Sequence, residues 1–146
     1  MNIDTEKSHP RVLFDTNILI SALVFGGDPA RILMAALEGE FRLVTSNILI
    51  AELVDVVNKK FPLSTQDLEL LKEQIYNKFD IVSPTDSLDV LNDTDDNRVL
   101  EAAIKGECEF IVTGDRELLD LGRYKKIKIV SVSDFLNLSF VNKLDN

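Results

Sequence analysis

Short β-branched and aromatic runs alternate along this chain with stretches of helical period, and that alternation restricts the fold more than any other feature. Arg11-Val-Leu-Phe14 is a strand-like run that stops abruptly at Asp15-Thr16-Asn17. Phe41 to Val44, the weaker Asp80 to Val82, Glu109 to Val112 and Lys128 to Val130 repeat the pattern. Between them, Pro29 to Leu37, Ile48 to Asn58, Ser64 or Thr65 to Phe79, and Asp95 or Asp96 to Lys105 carry apolar residues at helical spacing. Asp28 is placed to cap the first of these helices, and Ser133 or Asp134 to open a terminal one. Ile18 to Phe25 fits either period. Strands alternating with helices imply βαβ crossovers, so the chain is predicted to form a three-layer α/β/α sandwich around a mostly parallel sheet of four to five strands.

A chain of 146 residues holds one well-packed core and is short for two. Residues 11–138 read as that domain, with a polar, disordered extension at 1–10 and a tail at 139–146. The longest apolar stretch, Ile18 to Phe25, falls far short of the roughly 20 residues that span a bilayer. The opening MNIDTEKSHP lacks the apolar core of a signal peptide, so a cytoplasmic protein without membrane contact is expected.

A single cysteine, Cys108, leaves no internal disulfide and no Cys-pair zinc site, and its acidic neighbours Glu107 and Glu109 disfavour a thiolate. With His9 the only histidine, chemistry that needs several imidazoles has no residues to use. The formal charge of −9 argues against a basic surface that grips nucleic acid. It leaves room for a metal-dependent nuclease, whose clustered acids are neutralised by divalent ions that bridge to phosphate.

In open parallel sheets, ligands bind outside the carboxyl ends of the strands. Asp15 follows the first strand-like run there, and Asp115 follows the Phe110-Ile-Val-Thr-Gly run. An Asp after a strand ordinarily makes a turn or caps a helix, so neither is diagnostic alone. Glu52 falls in the first turns of the helix that begins near Asn47, at the same rim, where a solvated residue is the plain alternative. Asp93, Asp95 and Asp96 crowd the start of a later helix, whose N-terminus accounts for one of them. Two carboxylates 4 Å apart repel by roughly 4 kcal/mol at an effective dielectric of about 20. A convergent set therefore needs protons or cations, and oxygen donors without His or Cys suit Mg²⁺ or Mn²⁺. Water held on such an ion can attack a phosphodiester. Gly26-Gly27 is a turn and no Gly-Lys-Ser/Thr sequence occurs, so nucleotide-dependent phosphoryl transfer is unsupported.

Four segments in order carry a family resemblance: Leu13-Phe-Asp-Thr-Asn17, Asn47-Ile-Leu-Ile-Ala-Glu52-Leu53, Asp93-Thr-Asp-Asp-Asn-Arg-Val-Leu-Glu101 and Ile111-Val-Thr-Gly-Asp-Arg-Glu-Leu-Leu119. From Arg11 to about Leu138 the chain resembles the PIN-domain family, and within it the VapC-like ribonucleases that act as toxins of toxin–antitoxin systems. The resemblance implies a parallel sheet flanked by helices and a Mg²⁺- or Mn²⁺-dependent endoribonuclease site. Asp15 would be its central ligand, Glu52 the acid from a helix, and Asp96 and Asp115 the remainder, with Asn17 and Thr113 as supporting polar groups. Asp95 competes with Asp96 for the third place; Val99, Ala102 and Ala103 follow Asp96 at a spacing that buries one face, which favours it. Asp93 or Asp95 could then reach a second ion.

The resemblance further implies an RNA substrate, a small antitoxin partner and a homodimer, for which the apolar face near Ile32, Leu33 and Ala36 could serve. Arg98 and Arg116 lie near the acids in sequence and are candidates for RNA phosphate contact, ahead of Lys59-Lys60 and the group Arg123, Lys125, Lys126 and Lys128. A catalytically silent PIN-like interaction module, or an RNA-processing nuclease without an antitoxin, are the alternatives. A receiver-like domain wants a lysine near the end of a late strand, and none follows Phe110-Ile-Val-Thr-Gly. A haloacid-dehalogenase-like phosphatase wants Asp-x-Asp after its first strand, where Asn17 occupies the second place.

Overall fold

The structure, a computed structural model, describes residues 9–61 and 63–138. The expectations for 1–8 and 139–146 lie outside the described residues. Pro10 already belongs to the fold: it is buried, and its carbonyl accepts a 2.9 Å hydrogen bond from the Arg42 N–H.

Six strands form one sheet: β1 (Arg11–Phe14), β2 (Arg42–Ser46), β3 (Asp80–Val82), β4 (Phe110–Val112), β5 (Arg123–Tyr124) and β6 (Ile127–Val130). Their order is β3-β2-β1-β4-β6-β5, parallel throughout except for the short β5–β6 pair. The sheet thus exceeds the expected four to five strands by the two-residue β5, which is too short to leave a periodic signal. Among the described residues seven helices flank these strands: α1 (Thr16–Val24), α2 (Gly27–Leu37), α3 (Asn47–Lys60), α4 (Thr65–Lys78), α5 (Thr94–Lys105), α6 (Arg116–Leu121) and α7 (Val132–Leu136).

Alternation along the strands separates two cores. Val12, Phe14, Leu43, Phe110 and Val112 face α1 to α4 and α7, whose Phe135 meets Phe14, Phe41 and Phe110 ring to ring. Leu13, Val44, Ile111 and Ile129 face α5 and α6. The result is the α/β/α sandwich. The ambiguous Ile18 segment is helix, because packing on the sheet buries Ile18, Leu19 and Ala22 along one face despite the β-branched residues. Ile32 is fully buried with Leu33 and Ala36 packed around it, so the face considered for a dimer contact belongs to the core.

Helix starts differ from expectation where Gly or a competing acid intervenes. Gly26 and Gly27 adopt φ of 76° and 63°, which starts α2 ahead of Asp28; Asp28 sits in the first turn and pairs with Arg31 at 3.1 Å. Ser131, and neither Ser133 nor Asp134, caps α7. Gly106 closes α5 against β2, where an added Cβ would lie 2.5 Å from Val44 Cγ1. Among the described residues no single helix is long and apolar enough to cross a membrane; α1 and α2 meet the length and composition only as a pair bent by 100°.

Candidate active site

Chain order runs outward from β1 through β2 to β3, then returns to β4 on the other side of β1. This reversal opens a crevice at the carboxyl ends of β1 and β4. Asp15 leaves β1 at that crevice, α3 with Glu52 starts beyond β2, and Thr113-Gly114-Asp115 leaves β4. The loop 83–93 returns to the same rim and opens α5.

Asp15 occupies the cap position of α1, yet its side chain makes no capping bond. Its Oδ2 instead accepts a 2.7 Å hydrogen bond from the Thr113 hydroxyl, and its N–H donates to the Val112 carbonyl at 2.9 Å. Thr113 is fully buried and works in both directions, accepting at 3.0 Å from the Asp115 N–H while donating to Asp15. One hydroxyl therefore sets the spacing of two acids. Burial raises the Asp15 carboxyl above its usual pKa, and the charge of Asp115 adds to the rise. The Thr113 hydroxyl and the Asn17 and Thr16 N–H groups, which face the carboxylate without closing a cap, oppose it.

Glu52 is half-buried and also raised, first by burial and then by the charges of Asp95, Asp15 and Asp93, while the Thr16 hydroxyl beside it lowers it. Thr16 was not singled out from the sequence, although its place directly after Asp15 was a usable signal.

Asp96 stands at about 7, the largest displacement among the acids of the crevice. Burial comes first among the causes, followed by proton-sharing contact with Asp115 and by the charges of Asp115, Asp93 and Asp15. Its Oδ2 is buried without a hydrogen-bond partner. Asp115 caps α6, accepting from the Leu118 N–H at 3.1 Å, so it fills the ordinary role of a post-strand Asp while facing the crevice. Asp93 caps α5 through the Asp95 N–H at 2.8 Å, in place of the expected Asp95 or Asp96. Capping by Asp93 leaves Asp96 buried on the inner face and Asp95 exposed.

Asn17 is exposed on the first turn of α1. Arg116 is exposed beside Asp115. Arg98 is turned away, with Nη2 2.7 Å from Glu101 Oε2 and 3.4 Å from the Leu88 carbonyl. Lys59 and Lys60 end α3, and Lys125 and Lys126 precede β6, at the end of the sheet away from the acids.

The donors suit a hard divalent cation: all are carboxylate oxygens, three are raised first by burial and then by one another's charge, and one buried oxygen is unpartnered. Among the described residues no three His, Cys, Asp or Glu side chains are gathered closely enough to hold an ion between them.

Residues 11–117 match the family model of the PIN domain. The chain belongs to the PIN-domain family. A protein of Methanocaldococcus jannaschii, named only Uncharacterized protein MJ1680, is 30% identical over 131 residues, covering 84% of this chain and 83% of that one. The crystal structure of PAE2754 from Pyrobaculum aerophilum aligns with 99% of this chain and 95% of its own at a TM-score of 0.57. At 16% identity that likeness is one of fold alone. PIN domains are generally nucleases that use divalent metals, and this PIN domain presents its acids where the fold opens.

Proposed function

We propose that the protein is a Mg²⁺- or Mn²⁺-dependent endoribonuclease, acting in the cytoplasm as the toxin of a toxin–antitoxin pair. The observation that carries the reading is Asp96, a buried acid raised to about 7 by its burial and by the acids beside it, with one oxygen unpartnered. A fold has no structural reason to keep such a group, whereas a cation site does.

Asp15, Glu52, Asp96 and Asp115 would hold the ion, with Asp93 and Asp95 at the exposed edge. When bound, a divalent ion supplies a water of lowered pKa and positive charge beside the scissile phosphate. The chain's own part is orientation. Thr113 keeps Asp15 turned into the crevice, and the Leu118 N–H fixes the Asp115 carboxylate beside Asp96. Arg116 is the arginine whose place suits a phosphate contact, because Arg98 is committed to Glu101. The partner half of the proposal draws on an apolar hollow of about 250 Å³ between α1, α2, α3 and α4, with Leu23 and Leu37 exposed at its edge.

The test is cleavage of a mixed single-stranded RNA pool with Mn²⁺, Mg²⁺ or EDTA, comparing the wild type with Asp15→Asn. The expected result is cutting with either metal, none in EDTA, and a loss of at least about a hundredfold in the variant. Cutting in EDTA, or unimpaired cutting by the variant, would overturn the reading. Folded protein that neither cuts nor gains thermal stability with either metal would point to the interaction module.

A further inference from the structure

We propose that Asn97, backed by Glu101, is a positioning residue that straps the loop carrying Asp93 onto α5 and so holds the acid set in place. The inference rests on the nuclease reading, since a cation is what the positioned acids would serve.

Adjacent helix residues point about 100° apart, so when Asp96 faces the acids, Asn97 is turned elsewhere. It is turned to the loop. Its Oδ1 accepts from the N–H groups of Val90 at 3.1 Å and Leu91 at 2.9 Å, and its Nδ2 donates to the Leu91 carbonyl at 2.8 Å. Asn97 is 4% exposed, so these bonds stand in place of water. One turn on, buried Glu101 accepts from the Leu88 N–H at 2.7 Å and pairs with Arg98 at the same distance. From α6, Glu117 accepts from the Asn92 N–H at 2.6 Å.

Residues 83–90 form neither strand nor helix, and these side chains supply what a ladder otherwise would. The chain therefore reaches Asp93 in one direction. There the Asp93 carbonyl accepts from the Asn97 N–H at 3.2 Å, and its carboxylate caps Asp95. Asp93 bears by charge on both Glu52 and Asp96, so any slack in the strap passes to two elements of the site. Outer residues that orient ligands in this way typically cost 10–100-fold in metal affinity when removed.

The experiment is Mn²⁺ binding by electron paramagnetic resonance, normalised to folded protein by circular dichroism, for the wild type, Asp15→Asn, Asn97→Ala and Glu101→Gln. Wild-type binding lost in Asp15→Asn, with about tenfold weaker binding in Asn97→Ala, is the expected result. Glu101→Gln is nearly isosteric and gives up one of two bonds, so it should weaken binding severalfold; it decides alone if Asn97→Ala does not fold. Variants that unfold at lower temperature yet bind Mn²⁺ as the wild type does would reduce the strap to scaffolding and overturn the inference while leaving the nuclease reading intact. A wild type that binds no Mn²⁺ would overturn both.

Discussion

The two ends of the sheet hold the same residue type in opposite states. At the amino end, Asp80 opens β3 and is clasped by Arg11 at 2.7 Å and Arg42 at 2.6 Å, while Arg11 Nε also reaches the Gly106 carbonyl. Burial alone would raise Asp80, but the hydrogen bonds and charges of Arg42 and Arg11 carry it below the ordinary value. At the carboxyl end, burial and the charges of Asp115, Asp93 and Asp15 all act in one direction, and Asp96 rises to about 7. The first arrangement ties β1, β2, β3 and the end of α5 together. The second is charge left uncompensated by the fold, the kind of local conflict that proteins retain at functional sites. Linkage turns this contrast into opposite effects on stability.

Asp80→Asn should have the largest effect, a loss of about 2–3 kcal/mol in urea unfolding at pH 7. Arg11 and Arg42 sit directly across from one another in the β1–β2 register, so removing the carboxylate leaves two cations side by side. The response of melting temperature to Mn²⁺ should be unchanged. Because the folded pKa is depressed, the stability that Asp80 contributes is present above the unfolded value of 3.8 and is lost as pH falls below it. A cost below about 0.5 kcal/mol would mean that the clasp is no better than an exposed ion pair.

The sandwich and the position of its rim are legible in the sequence, whereas the contrast between the two ends is not. The strand runs and helix stripes define the sandwich because each element buries one face, and a buried face leaves a period. Asp15, Glu52 and Asp115 were placed at the rim because strand ends and helix starts fall there whatever the details of packing. The Asp93, Asp95 and Asp96 group resisted because any of the three can cap a helix locally, and only tertiary burial shows that Asp93 does so. The strap made by Asn97 and Glu101 left no signal, since the loop backbone groups it holds lie 6 to 13 residues earlier in an irregular segment. The Asp80 clasp was equally silent, as it joins residues 69 and 38 positions apart.

Asp96→Asn should move stability the other way. In the metal-free protein the folded state holds a proton on Asp96 that the unfolded chain releases above 3.8, so stability falls as pH rises from about 4 to about 7. Replacing the acid removes that slope. The variant should be more stable than the wild type by about 1–2 kcal/mol at pH 8, with the advantage shrinking toward pH 5. It should also lose the stabilisation that Mn²⁺ confers on the wild type. A variant less stable than the wild type at pH 8 without metal would show that the carboxyl end is compensated after all.

Glu52→Gln tests how far the uncompensated charge extends along the rim, and its effect should be the smallest. Glu52 is raised for the same reasons as Asp96, but it is half-buried on α3, where water screens part of the repulsion from Asp95, Asp15 and Asp93. Relief of that repulsion should stabilise the metal-free protein at pH 8 by less than about 1 kcal/mol. The amide can still accept from the Thr16 hydroxyl, so packing against α1 is retained. The gain should shrink at high salt more than the gain in Asp96→Asn does, because Asp96 is the less exposed of the two and salt screens buried charge less. Equal salt sensitivity of the two variants, read from thermal melts at low and high ionic strength, would mean that Asp96 is as wet as Glu52. The contrast between the two ends would then be one of neighbouring charges alone.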